Sequence, residues 1–193
     1  MLSYPHTEEE YKNAFSSNLE ELHRISSIIE NILFLARTDY RQIELEKIDI
    51  QVDKEIQNII EYYQASVDEK NIQFTLSGQA NLRAHPIMFR RLMNNLISNA
   101  VKYTANDGKI QIGIRVNHAK VTVINIQDTG VGIEQAHLPH LFDRFYRVDS
   151  SRSHQVRGVG LGLAIAKSIV DLHEGKITVQ SQVGVGTCFE VYL

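Results

Sequence analysis

Asn95, Asn99 and Lys102 stand at i, i+4 and i+7, a spacing that sets two carboxamides and one ammonium on one face of a helix. That trio suits magnesium and phosphate oxygens, since carboxamide oxygens ligate hard cations and an ammonium meets phosphate as a point charge. The solvated side of an amphipathic helix would carry the same residue types, and Asn94, which points off that face, is assigned to solvent. A second group is Asp128-Thr129-Gly130-Val131-Gly132-Ile133, directly after an apolar run. A carboxylate held at a strand end accepts hydrogen bonds from an exocyclic amine such as adenine's, and the glycines let backbone approach a ligand closely. Asp-Thr-Gly after a strand is also a common loop and occurs in aspartic proteases, but there is no second such loop here, and the helical asparagines point elsewhere.

The third group, Gly158-Val159-Gly160-Leu161-Gly162-Leu163, opens an apolar helical stretch, where free N–H groups beside glycines form an anion site. Its G-x-G-x-G spacing follows a polar loop rather than a strand, so the dinucleotide fingerprint is not met, and no glycine pattern precedes Lys102 or Lys176 to make a Walker-type loop. Between the second and third groups, residues 143–157 carry four arginines with little periodicity, which suits a functional lid or a surface loop.

The elements that must hold these groups are legible from periodicity. Thr7 followed by Glu8, Glu9 and Glu10 has the form of a capping box. Tyr11, Phe15, Leu19, Leu22, Ile25, Ile29, Ile32, Leu33 and Ala36 then recur at three- and four-residue steps, which predicts a helix over 7–38, a rod of about 50 Å. Such a stripe wants another helix, in a hairpin or an intermolecular bundle, and that partner is not in this sequence. After an extended piece over 43–50, helices are expected over 52–70, 86–103 and 161–172, with a short one near 138–142. Strands are expected over 72–76, 109–116, 120–127, 176–181 and 187–193, with an extended piece near Leu82. Asn106-Asp107-Gly108 and Asn117-His118 are read as hairpin turns. The body is α+β, several antiparallel strands with helices on one face.

Composition bounds the rest. The 193 residues are 43% apolar and 22% charged with three prolines, enough for one core plus an appendage and against collagen, disulfide scaffolds or disorder. The net charge of −3 gives no reason to expect a nucleic-acid partner. It divides unevenly: residues 1–50 hold ten Asp/Glu against five Lys/Arg, and the remainder thirteen against fifteen, so the larger part tolerates an anion. A lone cysteine, Cys188, reads as a small buried side chain and fits a reducing cytoplasm. No apolar run reaches the roughly 18–20 residues of a spanning helix, and the start lacks signal-peptide features, so the chain is expected to be the soluble, cytoplasmic part of something anchored elsewhere.

Five strings in order, Asn95-Leu96-Ile97-Ser98-Asn99-Ala100-Val101-Lys102-Tyr103, Asp128-Thr129-Gly130-Val131-Gly132, Leu141-Phe142-Asp143-Arg144-Phe145-Tyr146, Gly158 to Leu163, and Gly184-Val185-Gly186-Thr187-Cys188-Phe189, closely resemble the catalytic ATP-binding domain of bacterial sensor histidine kinases. The acidic helix over 7–38 is similar to the second helix of that family's dimerisation and phosphotransfer hairpin. Phe145-Tyr146-Arg147-Val148-Asp149 with the following Ser-Ser-Arg resembles heavy-metal-sensing members. The resemblance implies a two-layer α/β sandwich of the Bergerat type over 41–193, preceded by a partial hairpin over 1–40. It also implies ATP with magnesium, a homodimer through 7–38, and a response-regulator partner. Carried over, Asn95 and Asn99 would meet magnesium and phosphates, Lys102 a phosphate, and Tyr103 the base or sugar side. Asp128 would read the adenine amino group with support from Thr187. Arg147 and Arg152 would be the lid cations that stabilise the transferred phosphoryl group. Gly130, Gly132 and Ile133, with Gly158, Gly160, Leu161, Gly162 and Leu163, would wrap the nucleotide, and Phe142 and Phe145 would anchor the lid.

One departure is plain: the family's Ser-His-Glu-Leu-Arg-type acceptor box does not occur. His6, His23, His137 and His140 are read as solvent-facing, and the last two, at i, i+3, make a poor zinc site. The expectation is a catalyst whose acceptor helix lies outside this sequence. Gyrase-like ATPases of the same fold place a Glu four residues before the magnesium Asn to activate water. Here that place is Asn95, and an amide is no general base, which favours transfer over hydrolysis. A non-catalytic nucleotide-binding or dimerisation module is the remaining alternative.

Overall fold

The computed structural model describes residues 7–39, 45–148 and 159–193. The chain divides into two compact units, one up to Gln42 and one from Ile43 onward.

The first unit contains α1 (Glu8–Asp39). The capping box forms: the Thr7 N–H donates to Glu10 Oε2 at 2.7 Å and the Glu10 N–H to Thr7 Oγ1 at 3.3 Å, so two end donors are satisfied reciprocally. Tyr11, Phe15, Leu19, Leu22, Ile25 and Ile29 stand exposed along the helix as an apolar stripe.

The second unit runs β1 (Ile48–Gln51), α2 (Val52–Glu69), β2 (Gln73–Ser77), β3 (Asn81–Ala84), α3 (Pro86–Tyr103), β4 (Lys109–Val116), β5 (Thr122–Asp128), a 3-10 helix (Gln135–His140), α4 (Gly162–Leu172), β6 (Lys176–Gln182) and β7 (Gly186–Tyr192). Five strands form one sheet in the order β2-β4-β5-β7-β6, and β1 pairs with β3 in a separate two-stranded ribbon. The alternation in β4 and β5 turns Ile110, Ile112, Ile114, Ile124 and Ile126 inward. They meet the buried stripes of α2 (Ile56, Ile60), α3 (Phe89, Leu92, Met93, Leu96, Ile97) and α4 (Ile165, Ile169, Val170). Each such side chain contributes about 1.5–3 kcal/mol by leaving water. The opposite face is polar, with Arg115 paired to Glu190 at 3.4 Å and the Asn125 amide donating to Cys188 Sγ at 3.0 Å. This is the two-layer α/β sandwich, with Cys188 half-buried rather than in the core.

Two expectations are corrected. β2 pairs with β4 in parallel, Gln73 opposite Lys109, because the connection between them passes through a whole helix, α3, and returns the chain in the same direction. Asn106-Asp107-Gly108 is no hairpin turn: Asp107, at φ +61°, turns the chain from α3 into β4 and hands its N–H to Lys70 O at 2.9 Å. Asn117 does close the β4–β5 hairpin, its Oδ1 accepting from the Ala119 and Val121 N–H groups at 3.0 Å.

Candidate functional site

α3 starts where His85 is extended and Pro86 occupies the first turn, and it stops at Tyr103 because Thr104 returns to extended backbone. Its carbonyl end is held by a residue the sequence did not single out. Lys70 Nζ donates to Val101 O (2.8 Å), Lys102 O (3.2 Å) and Thr104 O (3.1 Å), placing a cation on the negative helix terminus. On the α3 face so fixed, Asn95 and Asn99 are half-buried. Asn95 Nδ2 is buried without a hydrogen-bond partner, and Asn95 Oδ1 lies against Gly162, where a Cβ would come within 3.3 Å. A buried orphan N–H₂ of α3 beside the start of α4, whose first turn has no side-chain cap, fits a site that takes a phosphate oxygen. The carboxamide oxygens of Asn95 and Asn99 are of the ligand type that suits a hard cation such as magnesium. Asn94 is exposed, as expected, and its Oδ1 also accepts from the Tyr63 hydroxyl at 2.9 Å, tying α3 to α2.

Lys102 Nζ sits 5.1 Å from the centre of the Tyr103 ring. Burial holds the Lys102 ammonium below its ordinary pKa, and the approach of Arg147 lowers it further. Burial raises the Tyr103 phenol, an effect the same guanidinium partly offsets. Arg147 thus converges with Lys102 and Tyr103 at the end of α3, and an anion between the two cations would relieve their repulsion.

At the end of β5, Asp128 is 6% exposed. Its Oδ1 accepts from the Gly130 N–H at 2.8 Å. Burial raises its pKa, and the nearby Gly130 and Thr187 backbone N–H groups hold the rise back. The loop that follows is latched to α3 by the Val131 N–H on Tyr103 O at 3.4 Å. Gly132, at φ +70°, and Gly186, at φ +134°, are required where they stand, since a Cβ on the second would lie 1.9 Å from Asp128 O. Ser181, also unforeseen, gathers this end: its Oγ meets the Ile133 N–H (2.8 Å), Gly186 O (2.8 Å) and Thr187 Oγ1 (2.9 Å).

The short helix expected near 138–142 is present as a 3-10 helix, Gln135–His140, with Pro139 inside it. Phe142 packs edge-on to Phe189 at 6.5 Å, whereas Phe145 is 56% exposed, so the anchor at 145 is its backbone. With φ +64°, Phe145 donates its N–H to Gly160 O at 2.9 Å, and a Cβ on Gly160 would strike that same backbone. His137 Nδ1 lies 2.7 Å from the Tyr146 hydroxyl, so it is a loop contact rather than a solvent-facing ring; His140 is exposed and pairs with Asp143 at 2.9 Å, and His23 is exposed. Leu161 is buried and Leu163 half-buried, which leaves their backbone rather than the Leu161 side chain to a ligand. Arg152, Gly158 and His6 lie outside the described residues.

Residues 84–193 match the family model described as histidine kinase-, DNA gyrase B- and HSP90-like ATPase. The sensor histidine kinase CusS of Escherichia coli strain K12 is 36% identical over 193 residues, covering 100% of this chain and 40% of that protein. The chain thus spans about two fifths of the curated relatives it matches. Among solved structures, full-length ShkA in complex with AMPPNP superposes with a TM-score of 0.83 at 22% identity, over 99% of this chain and 40% of that one. The histidine kinase ThkA in complex with the response regulator TrrA gives 0.74 at 22%, over 100% and 54%. At those identities the structural likeness establishes the fold, the Bergerat type.

Proposed function

We propose, for a chain that belongs to the histidine kinase-, DNA gyrase B- and HSP90-like ATPase family, that it is the catalytic portion of a two-component sensor histidine kinase. In this reading it binds ATP with magnesium and transfers the γ-phosphoryl group to a histidine on a hairpin helix that this sequence does not contain. The observation that carries the reading is the double role of α3. Its Asn95 faces Gly162 at the start of α4, and its last residue, Tyr103, is latched to the Asp128 loop, so one helix joins a phosphate end to a base end.

At the base end, Asp128 accepts the adenine amino group. At the phosphate end, Asn95 and Asn99 would hold magnesium, which neutralises phosphate oxygens. Lys102 and Arg147, with Arg152 from the lid, meet the transferring group, while the glycines from Gly158 to Gly162 and the backbone N–H groups at Leu161, Gly162 and Leu163 wrap the phosphates. The acceptor needs no general base, because a neutral imidazole is already a nucleophile; the site supplies position and charge only. That is the chemical sense of an amide at position 95, where hydrolysis would want a carboxylate.

Residues 1–40 form part of the dimerisation and phosphotransfer hairpin in this reading, and 41–193 the catalytic domain. No helix among the described residues is long and apolar enough to cross a membrane. The proposal places the chain on the cytoplasmic side of a membrane sensor, with a response regulator as partner and the heavy-metal-sensing subgroup as its kin.

The test is transfer of radiolabel from γ-labelled ATP. Label is expected on a supplied hairpin bearing an acceptor histidine and not on the chain alone; label on the isolated chain, or none on any acceptor, contradicts the proposal. The α1 stripe is expected to drive self-association, so sedimentation should report dimers at high protein concentration, and a persistent monomer would remove α1 as the dimer face.

A further inference from the structure

Asp128, Thr187 and Ser181 form one cross-strand row. Asp128 is opposite Thr187 in the β5–β7 register, and Thr187 is opposite Ser181 in the β7–β6 register. Directly opposed side chains stand about 4.5–5.5 Å apart at Cβ, so a carboxylate and two hydroxyls lie side by side on three adjacent strands.

The protons of this row are determined by its neighbours. Ser181 Oγ has one proton and two lone pairs. Gly186 O, at 2.8 Å, can only accept, so it takes that proton. The Ile133 N–H, at 2.8 Å, can only donate, so it fills one lone pair. The remaining contact, Thr187 Oγ1 at 2.9 Å, must then be a donation from Thr187 to Ser181. Thr187 spends its only hydroxyl proton there, and its oxygen turns lone pairs alone toward Asp128 and the cleft.

We propose that Ser181 is a specificity-determining positioning residue: by taking the Thr187 proton it makes the base end of the cleft all-acceptor, which selects a 6-aminopurine and rejects a 6-oxopurine. The inference rests on the reading of Asp128 as the adenine contact. Asp128 carries no proton when ionised, and the Gly130 N–H is directed at its carboxylate. An exocyclic amine brings two protons to these lone pairs. A 6-oxo group brings an oxygen instead, and a polar site left with mismatched partners discriminates far more strongly than an apolar pocket does.

The experiment compares ATP with inosine triphosphate, which differs at the purine 6-position and N1, by calorimetric titration of the whole chain with magnesium. The wild type is expected to prefer ATP by roughly 100-fold. Ser181→Ala frees the Thr187 proton to rotate toward the cleft, and the preference is expected to narrow about tenfold; Ser181→Thr, which keeps the hydroxyl, should restore it. Thr187→Val provides a second variant with a nearly isosteric side chain: it removes the oxygen altogether, and the preference should narrow again. An unchanged ratio in both Ser181→Ala and Thr187→Val, with each nucleotide weakened equally, overturns the proposal and leaves Ser181 a structural residue. Failure of the underlying reading looks different: the wild type would show no preference for ATP, or Asp128→Asn would bind it as tightly.

Discussion

Asp128→Asn is expected to weaken ATP binding by roughly 30- to 150-fold, about 2–3 kcal/mol, while leaving the empty protein as stable as the wild type or more so. The first half follows from losing a charged acceptor and placing an amide N–H₂ where the adenine amine needs lone pairs. The second follows from linkage. Burial raises the pKa of Asp128 in the fold, so folding penalises its ionised form relative to the unfolded chain. The stabilising contribution of this group is complete below the ordinary aspartate range and is lost as pH rises through the raised value. At neutral pH the ionised carboxylate is therefore a burden on the empty fold that Asn removes. Thermal unfolding with and without nucleotide reads both effects. At 100 times its Kd, ATP should stabilise the wild type by about 2.7 kcal/mol, roughly 5–10 °C for a unit of this size, and most of that shift should vanish in the variant. Wild-type affinity should also fall on acidification at a pH above the ordinary aspartate range, and a flat pH profile would remove Asp128 from the contact.

Asn95→Ala carries the second large effect. Transfer to a supplied acceptor should fall about 100- to 1,000-fold, the usual cost of removing one preorganised group from charge developing in a transition state. Stability should not fall with it, because Asn95 Nδ2 is a buried donor without a partner, and deleting it removes a desolvation cost rather than a bond. A variant that unfolds several degrees lower yet still transfers phosphoryl would assign Asn95 to packing. Single-turnover transfer beside thermal unfolding separates the two.

Local pattern carried α3 and β4 to their observed ends, because Pro86 marks one start and a strict two-residue alternation marks the other. The parallel pairing of β2 with β4 was not legible, since strand direction depends on a crossover and not on the residues of either strand. Asn106-Asp107-Gly108 has hairpin chemistry, but the positive φ of Asp107 serves a helix-to-strand turn equally well. Lys70 was invisible because its partners lie 31–34 residues away. Ser181 was invisible because its contacts with Gly186 and Thr187 depend on the β6–β7 register and its contact with Ile133 spans 48 residues, and neither residue sits in a short motif. The site residues that were legible are those whose spacing within one helix or loop already implies a shared face: Asn95, Asn99 and Lys102 on α3, and Asp128 beside Gly130. Convergence of Arg147 on Lys102 is a product of tertiary folding alone.

Calorimetric titration of the folded chain with magnesium and a non-hydrolysable ATP analogue tests the central claim most directly. The account predicts one saturable site, with affinity that drops when magnesium is withdrawn and again in Asp128→Asn. A folded chain that takes up no heat at millimolar nucleotide would contradict it.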